Sequence, residues 1–443
     1  MKRLKCEGLS GKIVVPGDPE YEQARREYNT AINQYPAIIV YCYDSCDVIN
    51  AILWSREQGI ELRVRSGGHD YEGYSNGTCK LVIDTSPMNK IELNLLNDTV
   101  KVQAGTRLLP LYEFLYQYGY TFPGGTCPTV AISGLVLGGG IGLSTRYLGL
   151  TADSLLEATM INFEGSQLTA NYECNSELFW ALRGAGGGNF GVVTDYTFQL
   201  KKVDQITLIQ LRWDDNTLAR NIFLQVWQEM LPHLDRRLSL FGGIYRAGAW
   251  VNAFFYGHPE EARRILQPLL NIPGITLEII QYLPFIEAIK AIGAIYPKHE
   301  SFQAAGRFAQ QKFSQTELAR LLDVIDQAPA IRNSSIRVYS LGGAVRDIES
   351  DATAFPYRQA DYIIAVVSSW ENRDEAEAHK EWVMAGFNYL YTITRGSYVN
   401  FPYSQTPEYQ HAYFGRNLPR LQAVKQVYDP CNIFSFPQSI KLP

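Results

Sequence analysis

The chain has 443 residues, 46% hydrophobic and 19% charged, with a formal net charge of −5, the profile of a soluble globular protein of roughly two to three domains. It has no Lys/Arg-rich block, so electrostatics offers no case for a nucleic acid or an anionic membrane as partner. Seven scattered cysteines without a Cys-x-x-Cys pair read as reduced thiols rather than a metal site.

Met1 to Gly8 is basic with no apolar stretch behind it, so no export signal is read and a cytoplasmic location is expected. In that setting the sequons at Asn76, Asn97 and Asn333 are read as chance matches. Ala37 to Cys42 is a β-branched apolar run. Ser45 or Asp47 then caps a helix through Gln58, and Gly59 ends it before a short strand, Glu61 to Val64. The loop Arg65-Ser-Gly-Gly-His-Asp-Tyr-Glu-Gly73 follows that strand directly. Strands are predicted near Leu81 to Asp84 and Val100 to Ala104, and a helix from Leu109 that Gly119 closes. Phe114 to Thr145 holds no charged residue, yet Pro123, Pro128 and many glycines rule out a spanning helix. It is read as a buried, cofactor-lining segment carrying the loop Gly124-Gly-Thr-Cys-Pro128 and the run Val130 to Gly142. A third glycine loop, Arg183 to Gly191, lies between a helical stretch from Asn175 and a strand, Val192 to Leu200.

Composition changes after Lys202. Strands are predicted at Ile206 to Trp213, Leu238 to Tyr245, Ala249 to Tyr256, Ile336 to Val345 and Tyr362 to Ser369. Helices are predicted at Pro259 to Leu270 and Arg373 to Thr394. The expected fold is α+β: residues 1–204 (core about 33–203), then a domain over 205–395 with a largely antiparallel sheet covered by helices. The tail 396–443 is expected to pack back onto the first domain.

Gly186 to Gly191 matches G-x-G-x-x-G literally, but here the helix precedes the loop and the strand follows it. That inverts the dinucleotide-binding order in which a helix N-terminus receives the pyrophosphate. Glycine turns let backbone N–H groups converge on an anion. His69 and Cys127, each on such a turn, are nucleophiles that can both bond to a flavin ring lying between them. Taken singly, each has a plain reading, as a turn histidine and a buried apolar thiol.

With these residues in view, the chain resembles the berberine bridge enzyme-like branch of the vanillyl-alcohol-oxidase type FAD oxidases, with their PCMH-type FAD-binding domain, a branch that includes the glucooligosaccharide oxidases. Arg65 to His69 is similar to the histidyl-flavin loop, Gly125-Thr-Cys-Pro-Thr-Val130 to the cysteinyl-flavin loop, and Tyr413 to Phe434 with Pro437 to Ile440 to the C-terminal signature. The resemblance implies FAD joined covalently through His69 and Cys127. It places Arg65, Ser66, Gly67, Gly68 and Asp70 around the first attachment, and Gly125, Thr126, Val130, Ser133 and Gly134 around the second. Gly139, Gly140, Gly142, Asp153, Asn189, Gly191, Val193 and Asn400 complete the implied surface. Val130 is similar in place to a residue that admits dioxygen when small.

The resemblance strains at the proton acceptor. The family's Tyr-x-Asn-Tyr reads Tyr398-Val-Asn-Phe401 here, and the tyrosine that commonly follows three glycines is Ile141. Tyr403, on the same side as Phe401 if the segment is extended, is a substitute base, with Arg346 as its cation or as a site for an acidic substrate group. Tyr398 and Asp351 are further candidates at the substrate space. Two readings follow. One is an FAD-dependent oxidase passing electrons from a sugar, alcohol or secondary metabolite to dioxygen, giving hydrogen peroxide. The other is a catalytically degenerate flavoprotein with a structural or binding role. Oligomeric state is left open.

Overall fold

The computed structural model describes residues 6–443. Its first sheet has four strands in the order Lys12–Val14, Ile38–Tyr41, Leu81–Asp84, Leu62–Arg65, the last three mutually parallel. Parallel strands are covered on both faces and need continuous apolar runs, and Ile38, Ile39, Val40, Leu81, Val82 and Ile83 are fully buried. The helix Ser45–Gln58 joins two of them. Asp44 caps it, its carboxylate accepting from the N–H groups of Cys46 and Asp47, and Gly59 at φ +64° ends it. The cap is thus one residue earlier than expected.

A five-stranded antiparallel sheet follows, in the order Ile91–Asn94, Thr99–Gln103, Val192–Gln199, Leu155–Ile161, Gln167–Ala170. Lys201–Lys202 pairs antiparallel with Tyr120–Thr121, and the largest sheet is seven-stranded and antiparallel, ordered Leu277–Pro284, Gln205–Asp214, Gly248–Phe255, Leu238–Tyr245, Ser334–Ser340, Tyr362–Trp370, Ser301–Ala309. Helices Thr217–Met230, Gln315–Asp326 and Ala376–Ile393 bury one face of it around Trp227, Ile336, Val338 and Val366. Its other face turns toward the glycine loops.

The second half departs from expectation in the seven-stranded sheet and in one of its helices. The strand expected over Ile336 to Val345 stops at Ser340, because Gly342 and Gly343 take φ of +82° and +54° and leave the ladder. Leu277–Pro284 and Ser301–Ala309 are strands that were not anticipated. The helix expected over Pro259 to Leu270 is two pieces, Pro259–Ile265 and Gln267–Leu270, with Pro268 at the break. Among the described residues no helix is long and apolar enough to cross a membrane.

Candidate active site

The Arg65 to Gly73 loop leaves the carboxyl end of a parallel strand, where α/β sheets present ligand sites. Gly67 lets it touch the second loop: a Cβ there would fall 2.7 Å from the backbone nitrogen of Ala131. The hydroxyl of Thr129 lies 3.0 Å from Nε2 of His69 and 3.6 Å from Sγ of Cys127. Residues far apart in sequence thus meet at one wall of a cavity of about 330 Å³. Tyr28 stacks on His69 with centroids 4.3 Å apart. Burial, followed by the charge of Arg107, brings the His69 pKa down to about 3, against the hydrogen bond at Thr129. Its imidazole is therefore neutral and nucleophilic at ordinary pH.

The tail supplies the opposite wall. Asn400 donates to the carbonyl of Leu135 at 2.9 Å and to the Tyr398 hydroxyl at 3.2 Å, and Gly140 N–H donates to that same hydroxyl at 2.9 Å. Phe401 sits among aromatic rings: stacked on Tyr71 at 5.3 Å, and 5.3 and 5.1 Å from Tyr339 and Tyr398. Gly306 makes room for it, since a Cβ there would lie 3.2 Å from the Phe401 ring.

Two family descriptions match the chain: "FAD binding domain" over residues 36–171 and "Berberine and berberine like" over 397–441. An FAD-linked oxidoreductase of Bacillus subtilis, YgaK, is 36% identical, the match spanning 98% of this chain and 97% of that one. The chain belongs to the berberine bridge enzyme-like FAD-linked oxidoreductases. A chitooligosaccharide oxidase of Gibberella zeae is 28% identical over 99% of this chain and 95% of its own. The solved structure of Physcomitrella patens BBE-like 1 superposes with a TM-score of 0.92 at 29% identity, covering 98% of this chain and 97% of that one.

The cavity of this FAD-linked oxidoreductase suits the cofactor. The backbone N–H groups of Ser66 through Tyr71 donate to no other described residue, an open row of donors for an anionic group. Gly134 lines the cavity, and a Cβ there would meet nothing within 4 Å, so a side chain would occupy the space a ligand needs. Ser66, Gly67, Gly68, His69 and Asp70 line the cavity. So do Gly125, Thr126, Cys127, Val130, Ser133, Gly134, Gly191, Val193, Tyr398 and Asn400.

Other expected residues lie elsewhere. Arg65 turns away from the cavity to pair with Asp84, its register partner on the neighbouring parallel strand, at 2.6 Å and to donate to the Ala24 carbonyl. Gly139, Gly140 and Gly142 serve packing: a Cβ on each would meet Phe355, Thr151 or the carbonyl of Gly124. Asp153 is paired bidentately with Arg358 at 2.8 Å. Asn189 donates to Ala185 and Gly186 and accepts from Ile440 N–H at 2.9 Å, tying the tail to the third loop.

The expected proton-handling residues change most. Phe401 and Tyr403 do not share a side, because the chain bends at Phe401, before Pro402, instead of running extended. The Tyr403 ring packs on Phe387 at 4.8 Å, outside the cavity, and burial raises its pKa to about 12. Arg346 is exposed and bound to Asp361 at 2.7 Å. Asp351 is exposed, and its carbonyl receives the Trp180 indole N–H. Tyr398 does line the cavity, but its hydroxyl oxygen already accepts from Gly140 and Asn400, and burial raises its pKa.

Sequence reasoning missed Tyr28, Tyr71, Tyr296, Arg337 and Tyr339, all of which line the cavity. A signal existed for the last two. In Ser334–Ser340, Arg337 and Tyr339 alternate with Ile336 and Val338, which are fully buried on the helix-covered face.

Proposed function

We propose that this protein is an oxidase whose FAD is held covalently by His69 and Cys127, and that its donor is a carbohydrate or similar small alcohol oxidised at a C–OH carbon. The observation that carries the reading is the convergence of His69 and Cys127 on Thr129 at one cavity wall. When bound, FAD supplies the two-electron acceptor for hydride and passes the electrons to dioxygen, giving hydrogen peroxide. The chain's own residues do the rest. The open N–H row of residues 66–71 holds an anionic part of the cofactor, and the neutral His69 ring and the Cys127 thiol are its attachment points. Val130, half-buried and lining the cavity, stands where a small residue in the resembled family admits dioxygen.

The rings of Tyr28, Tyr71, Tyr296, Phe302 and Phe401 wall the substrate space. Flat faces with polar tips suit sugar rings, and the kinship to a chitooligosaccharide oxidase supports that class. Acid precipitation with washing is the first test: yellow colour retained in the pellet supports covalent FAD, and colour released counts against it. His69→Ala and Cys127→Ala should each keep flavin through the remaining bond. Peroxide formation with oligosaccharides should accompany anaerobic bleaching by the same compounds; bleaching without peroxide in air would make the protein a dehydrogenase.

A further inference from the structure

The oxidase reading needs a group to take the substrate hydroxyl proton, and Ile141 and Phe401 cannot. Seven tyrosines line the cavity; the hydroxyls of three are hydrogen-bonded, and Tyr71 lies flat against the Phe401 ring. The Tyr296 hydroxyl bonds Thr126 at 2.6 Å, that of Tyr413 bonds Gln438 at 2.6 Å, and that of Tyr398 accepts from Gly140 and Asn400. Tyr74 stacks on Phe436, away from the Phe401 cluster. Tyr28 has its ring stacked on His69, and burial, then the charge of Glu300, opposes its ionisation.

Tyr339 differs. It projects from the middle of the seven-stranded sheet into the cavity, its ring edge-on to Phe241 at 4.9 Å and 5.3 Å from that of Phe401. Two residues earlier on the same strand face stands Arg337, withdrawn from bulk solvent, whose Nε donates to Ser335 at 3.0 Å. We propose that Tyr339 is the catalytic base of this enzyme, with Arg337 the positioning cation that makes its phenolate attainable. In the step, the Tyr339 phenolate oxygen takes the hydroxyl proton. The carbon–hydrogen bond breaks with its electron pair, hydride passes to the oxidised cofactor, and the C–O bond becomes a carbonyl.

Burial raises the Tyr339 pKa, and the charge of Arg337 is the principal opposing influence. The other titratable groups facing this pair are Tyr28, Tyr71 and Tyr296, all raised by burial, and Glu300, whose charge reaches Arg337. Reduction should therefore quicken as pH rises and the phenolate fraction grows.

The inference rests on the oxidase reading, and the experiment separates the two. Anaerobic bleaching of the holoprotein's flavin by an oligosaccharide panel is followed against pH for the wild type, Tyr339→Phe, Arg337→Met and Arg337→Lys. Tyr339→Phe should keep its flavin and its substrate affinity while its rate falls about 10²-fold or more. Arg337→Met should move the alkaline limb to higher pH, and Arg337→Lys should restore much of it. Independently of turnover, the ultraviolet tyrosinate titration of wild type minus Tyr339→Phe should isolate one phenol that moves upward in Arg337→Met. A Tyr339→Phe protein that bleaches at the wild-type rate overturns the proposal, as does an Arg337→Met protein whose limb and phenol titration do not move. Wild-type flavin that no donor bleaches overturns the oxidase reading itself, and the role of Tyr339 with it.

Discussion

The hydroxyl of Thr129 lies 3.0 Å from Nε2 of His69, bridging two loops whose residues stand 60 positions apart. That contact orients the imidazole next to Cys127. Thr129→Val keeps the shape and removes the bond. Global stability should change by only about 0.5–1.5 kcal/mol, while the share of protein carrying flavin on His69 should fall. Mass spectrometry of flavin-bearing peptides checks this: an unchanged share would mean that the Tyr28 stack alone orients the ring.

A buried carboxylate behind the same loop predicts a pH effect on stability. Burial, opposed by Arg65, pushes Glu27 up to about 7 from the ordinary 4.5, and only one of its oxygens has a partner, Ser75. A raised folded-state pKa gives stability that is full below about 4.5 and is lost as pH rises through about 7. Against Glu27→Gln, the wild type should lose about 3 kcal/mol across that window. Melting temperatures of both proteins at several pH values test it; a difference that does not change with pH would show the carboxyl ionised throughout.

Arg358 is fully buried and its bidentate partner Asp153 is nearly so. Asp153→Asn strands the guanidinium and should cost about 3–5 kcal/mol, read by denaturant unfolding. Protein that folds should still take up flavin, because Asp153 lies outside the cavity. Selective loss of flavin with unchanged stability would return Asp153 to the cofactor site.

Tyr403→Phe, Arg346→Ala and Asp351→Ala should each reduce flavin within about twofold of the wild-type rate, since none reaches the cavity. The exposed Arg346–Asp361 pair is worth only about 0.2–1 kcal/mol. Stopped-flow reduction of the three variants checks this, and a large drop in any one would place that side chain at the substrate.

The Phe401 ring lies 5.3 Å from that of Tyr339, so a phenol at 401 occupies neighbouring space. Phe401→Tyr introduced into Tyr339→Phe should recover part of the lost rate of flavin bleaching. No recovery would show that position 401 does not reach the reacting hydroxyl.

Much of the site was legible because its signals are local. Glycine at positions 67 and 68, with a nucleophile directly after, marks a loop open to a ligand whatever surrounds it. The apolar runs at 38–41 and 81–84 announce buried strands because two-sided burial tolerates little else. Arg346 and Tyr403 misled because reading them required a direction that only neighbours supply. A bend at Phe401 sends Tyr403 into the other core, and Asp361, 15 residues further on, claims Arg346.

By itself the sequence determined the two glycine loops that carry His69 and Cys127, the antiparallel second half and the absence of the usual tyrosines, all consequences of residue type over short spans. Only the tertiary structure decided which face each residue shows. It brought Arg337 and Tyr339, on a central strand of one sheet, across to loops leaving another, because burying the Ile336 and Val338 face under helices turns the alternate residues into the cavity.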